Sequence, residues 1–353
     1  MSYVYVFKED YYDLNSSVST LDLNPKTLAC ELKRPEFPAA LTLSVLLFAI
    51  FLLAIPGNLL VGWVICTSTQ ALTPSDVYLF HLTIADGLMA LTLPFFAISQ
   101  VLGWIFGDFM CKLLTLIMEA NFYTSIIFLA CISVDRYRVI VHASENRRAR
   151  HRRCSRVLCV AVWAVGWALA LPALFSDVTQ LDSDSSFLIC TETFDIGSST
   201  MWRLATRGFR HIFGFLVPLV VMVACYSITI TRLLHTRGFQ KHRAMRVITA
   251  VVIAFLLCWT PYHITMVVDT LLRAELLTFD CTFRRAVNNA LRTTNSLALL
   301  HSCINPFLYA FVGEKFRKKL KTLLQRKRRR EQSSVFRVSR STSQTSEGAR
   351  TVL

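Results

Sequence analysis

Seven apolar runs separated by short polar or basic stretches divide the chain. No charged residue occurs from Phe37 to Ser75, and the run from Ala39 to about Cys66 is long enough to cross a bilayer as a helix. Six more runs follow, at about 76–102, 108–140, 156–176, 206–234, 244–272 and 286–312. The third organises the rest. From Cys111 to Tyr137 a helix rising 1.5 Å per residue covers about 39 Å, so a cysteine stands at one membrane face and Asp135, Arg136 and Tyr137 at the other. The pattern predicts an all-α membrane protein, a seven-helix bundle over 39–312. An N-terminal tail, 1–38, precedes it. Residues 313–327 follow as a short amphipathic helix, with Phe316, Leu320, Leu323 and Leu324 on one face and basic residues around them. Residues 328–353 read as a disordered tail.

Composition agrees. The 353 residues are 54% hydrophobic with a mean hydropathy of +0.46, too apolar for an ordinary soluble domain. The formal charge of +15 is clustered in Arg147 to Arg156 and Lys315 to Arg330, so it reads as topology and lipid contact, not nucleic-acid binding. Those clusters and the Lys241 to Arg246 segment share one side, which the charge rule makes cytoplasmic, with the N-terminus outside; the loop 67–74, lacking lysine and arginine, is discordant. No apolar core follows a basic start, so no cleavable signal peptide is expected.

The eleven cysteines exclude a fully paired framework, and none has zinc-site spacing. Asn15, Ser16 and Ser17 form a glycosylation sequon. Tyr11 and Tyr12, beside Glu9, Asp10 and Asp13, are candidates for sulfation, with a plain disordered tail as the alternative. Ser339, Ser341, Thr342, Ser343, Thr345 and Ser346 are candidate phosphorylation sites. Thr351 to Leu353 has the ending of a PDZ ligand.

Charged groups at mid-membrane cost about 2.5–3.5 kcal/mol each, which makes every retained one informative. Asp86 lies in the second run, and Asn58, Asn121, Ser125, His301 and Asn305 lie at depths that could converge on it. Such a set suits a sodium ion, since hard cations prefer oxygen ligands; an ion-free hydrogen-bond network is the alternative. Pro94, Pro172, Pro218, Pro261 and Pro306 permit kinks, and those near Trp259 and Tyr309 would allow alternative packings. No GxSxG, HExxH or phosphate-binding glycine loop supports an enzyme, and no internal repeat supports a transporter.

Together these residues resemble the rhodopsin-like G-protein-coupled receptors. The match runs through Gly57 and Asn58, Asp86, Asp135-Arg136-Tyr137, Trp163, Pro218 with Tyr226, Cys258 to Pro261, and Asn305 to Tyr309. Thr92-Leu93-Pro94, Trp104 to Gly107, and Cys30 with Cys281 resemble chemokine-receptor features. Gln240 to Val247, Cys131 to Tyr137, Val141 to Ala143 and His301 to Pro306 resemble the interleukin-8 type receptors for ELR-motif CXC chemokines.

The resemblance implies a plasma-membrane receptor for a CXC chemokine, acting through heterotrimeric Gi and calcium release in leukocyte and neutrophil chemotaxis, with receptor kinases and arrestin as later partners. It implies disulfides Cys111–Cys190 and Cys30–Cys281. It also implies an activation switch of Asp135, Arg136, Tyr137, Tyr226, Trp259, Pro261, Asn305, Pro306 and Tyr309, in which Asp135 holds Arg136 until the sixth helix moves. Basic chemokines would be steered by the acidic tail. Arg203, Arg207, Arg284 and Arg285 would meet the ligand's glutamate, while Glu119 and Asp269 would meet its arginine; anchoring of these arginines at lipid phosphates is the alternative. Some positions depart from the pattern: Arg138 follows the triplet, and Asn288, Arg292 and Asn295 stand where acids are usual. A non-signalling chemokine scavenger and a receptor for another peptide are the competing readings. Met118 disfavours an amine and Leu299 disfavours retinal.

Overall fold

The computed structural model describes residues 34–67, 72–141, 148–181, 186–193, 199–234, 239–274, 276–277, 280–312, 317–322 and 325. The elements in order are α1 (Phe37–Cys66), α2 (Pro74–Leu102), α3 (Gly107–Val141), α4 (Arg148–Ala170), β1 (Ser176–Gln180), β2 (Leu188–Glu192), α5 (Ser199–His211), α6 (Val217–Leu234), α7 (Phe239–Arg273), α8 (Cys281–Ala298) and α9 (His301–Val312). Six of the spans are long and apolar enough to cross a membrane. The seventh consists of α8 and α9, and the arginines and asparagines of α8 make it the most polar.

Local signals set several boundaries. Thr73 caps α2 in a reciprocal box: its hydroxyl accepts from Asp76 N–H, and Asp76 Oδ2 accepts from Thr73 N–H at 2.9 Å. Pro74 follows at the first turn, where its missing N–H costs nothing. Asp280 caps α8 by accepting from the amides of Thr282 and Phe283. Three spans depart from a plain α-helix. The fourth passes into a 3-10 helix at Leu171–Phe175, with Pro172 in its first turn. The fifth span is broken by a π turn at Ile212–Leu216. The seventh starts at Cys281 and is interrupted at Leu299–Leu300, where Ser302 and Cys303 amides bond carbonyls three residues back. At the second break the amides of Leu299, Leu300, Ser302, Cys303 and Ile304 all keep carbonyl partners, as hydrocarbon requires.

The bundle is not wholly helical. β1 and β2 pair antiparallel, with Val178 opposite Cys190. This hairpin is fixed to α3 by the Cys111–Cys190 disulfide, whose Cα atoms are 5.6 Å apart. Lys112 donates to Asp177, Asp108 Oδ1 accepts from Val178 N–H at 3.0 Å, and Trp104 N–H donates to Leu188 O at 2.8 Å. Gly103 precedes that contact at φ 79°, and a Cβ there would stand 2.9 Å from Leu188 O, so glycine suits both the turn and the approach. Cys281 is also disulfide-bonded; Cys30, its expected partner, lies outside the described residues.

The main core joins Leu82, Phe122, Ile126, Phe128, Phe255 and Trp259 across α2, α3 and α7. Many large apolar side chains on the outside, such as Leu52, Val160 and Leu257, are exposed, as expected of a surface that meets lipid. Residues 317–322 are helical, and Leu320 packs against the main core. Phe316, Leu323 and Leu324 of the expected amphipathic helix and the tail sites, Asn15, Glu9 to Asp13 and Ser339 to Ser346, lie outside the described residues.

Candidate functional site

The polar residues of the bundle lie at successive depths. At the outer ends of α5 and α7, Arg207 Nη1 donates to Asp269 Oδ2 at 2.7 Å and to Thr270 Oγ1 at 2.9 Å, while Arg273 Nε donates to the same carboxylate oxygen at 2.8 Å. Asp269 is fully buried, and its Oδ1 has no partner among the described residues. Arg203 lies one turn outward from Arg207, half-buried, with no side-chain partner among the described residues. Arg285 is exposed at the start of α8, and Arg284 is half-buried beside it.

A second cation lies deeper. Arg210 donates to Glu119 on α3, and its guanidinium stands 5.4 Å from the Phe122 ring and 5.5 Å from the Tyr262 ring. Glu119, Glu192, Thr206 and Arg210 line a common cavity between α3, α5 and β2. Asp269 and Glu119 are therefore not free acids awaiting a ligand arginine; the chain's own arginines cover both. An unpaired carboxylate at this depth would be costly, which is why internal cations take those places. Arg210 and Arg273 escaped the sequence reading. The four-residue spacing 269/273 signals Arg273, since it places both groups on one helix face; Arg210 meets its acid on another helix, so no local spacing points to it.

Next inward, His211 Nδ1 lies 2.9 Å from His263 Nδ1. Trp259 packs on Phe122 with ring centroids 4.4 Å apart and on His301 at 5.3 Å.

At the centre Asp86 is fully buried, accepting from Ser125 at 2.9 Å and Asn305 at 2.8 Å. His301 Nδ1 is bonded to Ala298 O at 2.8 Å. A carbonyl only accepts, so Nδ1 carries a proton, and in the neutral ring Nε2 presents a lone pair. That lone pair stands 3.7 Å from Asp86 Oδ1. Two acceptors facing each other suit a cation between them, so these residues fit a sodium ion. Two members of the expected set make no hydrogen bond to Asp86. Asn58 Nδ2 bonds the carbonyls of Ala54 and Ser302, the latter freed by Pro306, and Asn121 Nδ2 bonds that of Ile117; the Oδ1 of each is buried without a partner among the described residues.

At the inner level Tyr226 receives a hydrogen bond from Ser133 at 3.2 Å. Asp135 is bonded by the Ser75 hydroxyl of α2. Among the described residues no ion pair joins it to Arg136, whose Nε is buried without a partner. The expected Asp135–Arg136 clasp is thus absent from this arrangement: the serine takes the carboxylate. Pro261 and Pro306 lie inside α7 and α9, and the side chain of Tyr309 lies outside the described residues.

A cysteine-stapled hairpin at one end, a bundle lined with ion pairs, a buried central acid and an Asp-Arg-Tyr triplet at the opposite end define a seven-span receptor. Residues 57–309 match the family described as 7 transmembrane receptor (rhodopsin family). The chain is 46% identical over 276 residues to the human C-X-C chemokine receptor type 2, covering 78% of this chain and 76% of that one. It is 46% identical over 270 residues to the human C-X-C chemokine receptor type 1, covering 76% of each. To the gorilla type 2 receptor it is 47% identical over 268 residues, 76% of this chain and 75% of that protein. The chain belongs to the rhodopsin family of seven-transmembrane receptors, in its C-X-C chemokine receptor branch.

Proposed function

We propose that this multi-pass membrane protein is a plasma-membrane receptor for ELR-motif CXC chemokines, with its N-terminus extracellular and its C-terminus cytoplasmic. It signals through heterotrimeric Gi to calcium release and leukocyte or neutrophil chemotaxis. The observation that carries the reading is the outer charge pattern. Arg207 and Arg273 share Asp269, with Arg203 beside them, so the cluster has more cation than acid. A ligand carboxylate can compete for Arg207 and open one side of Asp269 to a ligand guanidinium while Arg273 stays on it. That exchange of partners suits a glutamate and an arginine arriving together, and charge-assisted bonds of this kind are strong. Glu9, Asp10 and Asp13, with sulfated Tyr11 and Tyr12, supply long-range attraction for a basic ligand.

Sodium is the proposed allosteric ligand of Asp86, held with Ser125, Asn305 and His301. After activation, phosphates placed by receptor kinases on Ser339 to Ser346 form an acidic patch for arrestin, and Thr351 to Leu353 engages a PDZ domain. Glycosylation at Asn15 belongs to the same topology. The test is a panel of CXC chemokines with and without the ELR motif, read by direct binding and by calcium release. Binding and release confined to the ELR group support the reading. Binding without release would instead make the protein a scavenger, and equal binding of both groups would remove the ELR assignment.

A further inference from the structure

Two contacts on one face fasten α5 to α7: Arg207 to Asp269 and, one turn inward, His211 to His263. The two Nδ1 atoms are 2.9 Å apart and the ring centroids 5.0 Å apart. Two lone pairs or two N–H groups at that separation would repel, so one nitrogen donates and the other accepts. The rings are therefore opposite tautomers. His263 is 4% exposed, stacks on Phe215 at 4.3 Å, and stands one turn beyond Trp259 with centroids 6.2 Å apart. Phe215 belongs to the π turn that follows His211, and Gly214 of the same turn rests against Phe122, whose ring meets Trp259. One shared proton thus links the irregular turn of the fifth span to the aromatic cluster of the sixth. Neither histidine is used by the outer ion pairs, by the Asp86 site or by the inner triplet.

We propose that His211 and His263 are positioning residues for activation. Their bond holds the π turn against the Trp259 cluster in the arrangement where Asp269 and Glu119 are covered by the receptor's own arginines. When a ligand draws Arg207 or Arg210 away, α5 shifts, the bond breaks, and Trp259 is released to repack. The proposal rests on the receptor reading above, because it takes ligand competition for those arginines as its trigger. Helix irregularities of this kind commonly mark sites where a span changes register, and a packed aromatic cluster switches between discrete arrangements instead of deforming smoothly.

The experiment uses full-length receptor in lipid nanodiscs with heterotrimeric Gi, measuring nucleotide exchange without and with an ELR chemokine. His211→Ala and His263→Ala are each expected to raise basal exchange about fivefold, the yield of one buried hydrogen bond. The double variant should rise no further than either single one, because both remove the same bond. His263→Gln, whose amide can donate or accept, should stay near the wild-type level, which a loss of ring packing alone would not allow. Where alanine prevents folding, His263→Leu keeps bulk and loses the bond, and it carries the same expectation. Unchanged basal exchange in the single variants, multiplied effects in the double, or a glutamine variant that behaves like alanine would overturn the proposal. A wild-type receptor that answers no chemokine in the panel would instead bring down the receptor reading and this proposal with it, and the two failures are told apart by that wild-type control.

Discussion

Arg207 Nη1 lies 2.7 Å from Asp269 Oδ2, the same oxygen that Arg273 Nε approaches to 2.8 Å. One acid bridging two arginines makes an exchangeable contact. If a ligand carboxylate takes Arg207, Arg273 still covers Asp269, so the receptor is not left with a bare buried charge. That lowers the cost of opening the site.

Arg207→Ala is expected to weaken an ELR chemokine about ten- to a hundredfold, the loss of one charge-assisted contact of about 1.5–3 kcal/mol. Asn295→Ala should change affinity little, because that position carries no charge. Competition binding on membranes checks both, and a large loss from Asn295→Ala with none from Arg207→Ala would reverse the assignment.

Arg136→Ala should abolish nucleotide exchange while surface expression and chemokine binding stay largely intact. Ser75, not Arg136, occupies Asp135, so removing the guanidinium leaves that carboxylate's contact in place. Normal Gi coupling in this variant would take Arg136 out of the mechanism.

Asp86→Asn should make chemokine affinity insensitive to sodium. The wild type should lose agonist affinity as sodium replaces a large inert cation at constant ionic strength. The substitution keeps the size of the side chain and its contact with Ser125, but it removes the charge that faces the His301 lone pair. Equal sodium response in both forms would leave the hydrogen-bond network without an ion.

The outer hairpin should have a one-sided pH response. The Lys112 ammonium, and then the Thr193 hydroxyl, hold the Asp177 carboxyl below the ordinary carboxylate range. A depressed folded-state value contributes stability above the unfolded value of about 3.9 and loses it as pH falls through the folded one. Hydrogen exchange across residues 176–192 should therefore be constant in its protection from pH 7 to about pH 4 and loosen only below. Loosening between pH 7 and pH 5 would show that Asp177 is not what secures the hairpin.

Gly214→Ala should destabilise the bundle by about 1–3 kcal/mol, the usual cost of overpacking. Its Cβ would stand 2.5 Å from Phe122 Cε1 and 2.7 Å from Cζ, and that ring is held between Tyr123 and Trp259. A thermal midpoint equal to that of the wild type would mean the ring can yield.

The number and rough extent of the spans, the acid at Asp86 and the triplet at the end of the third helix are legible along the chain. These follow from a local cost: each uncompensated charge or backbone group in hydrocarbon is penalised wherever it lies, so apolar runs and their exceptions show along the chain. Tertiary structure decided which charges meet. Arg207 and Arg210 are three residues apart on one helix, yet one faces Asp269 on α7 and the other Glu119 on α3. Their partners depend on the rotation of α5 against two neighbours, which no local pattern specifies. The same holds for Asn58, which bonds Ser302 O and not Asp86, for Ser75 on Asp135, and for the histidine pair across α5 and α7. The breaks at Ile212–Leu216 and Leu299–Leu300 also arise from packing, since the apolar runs continue through both and only contacts with the surrounding helices make a locally irregular backbone the better arrangement.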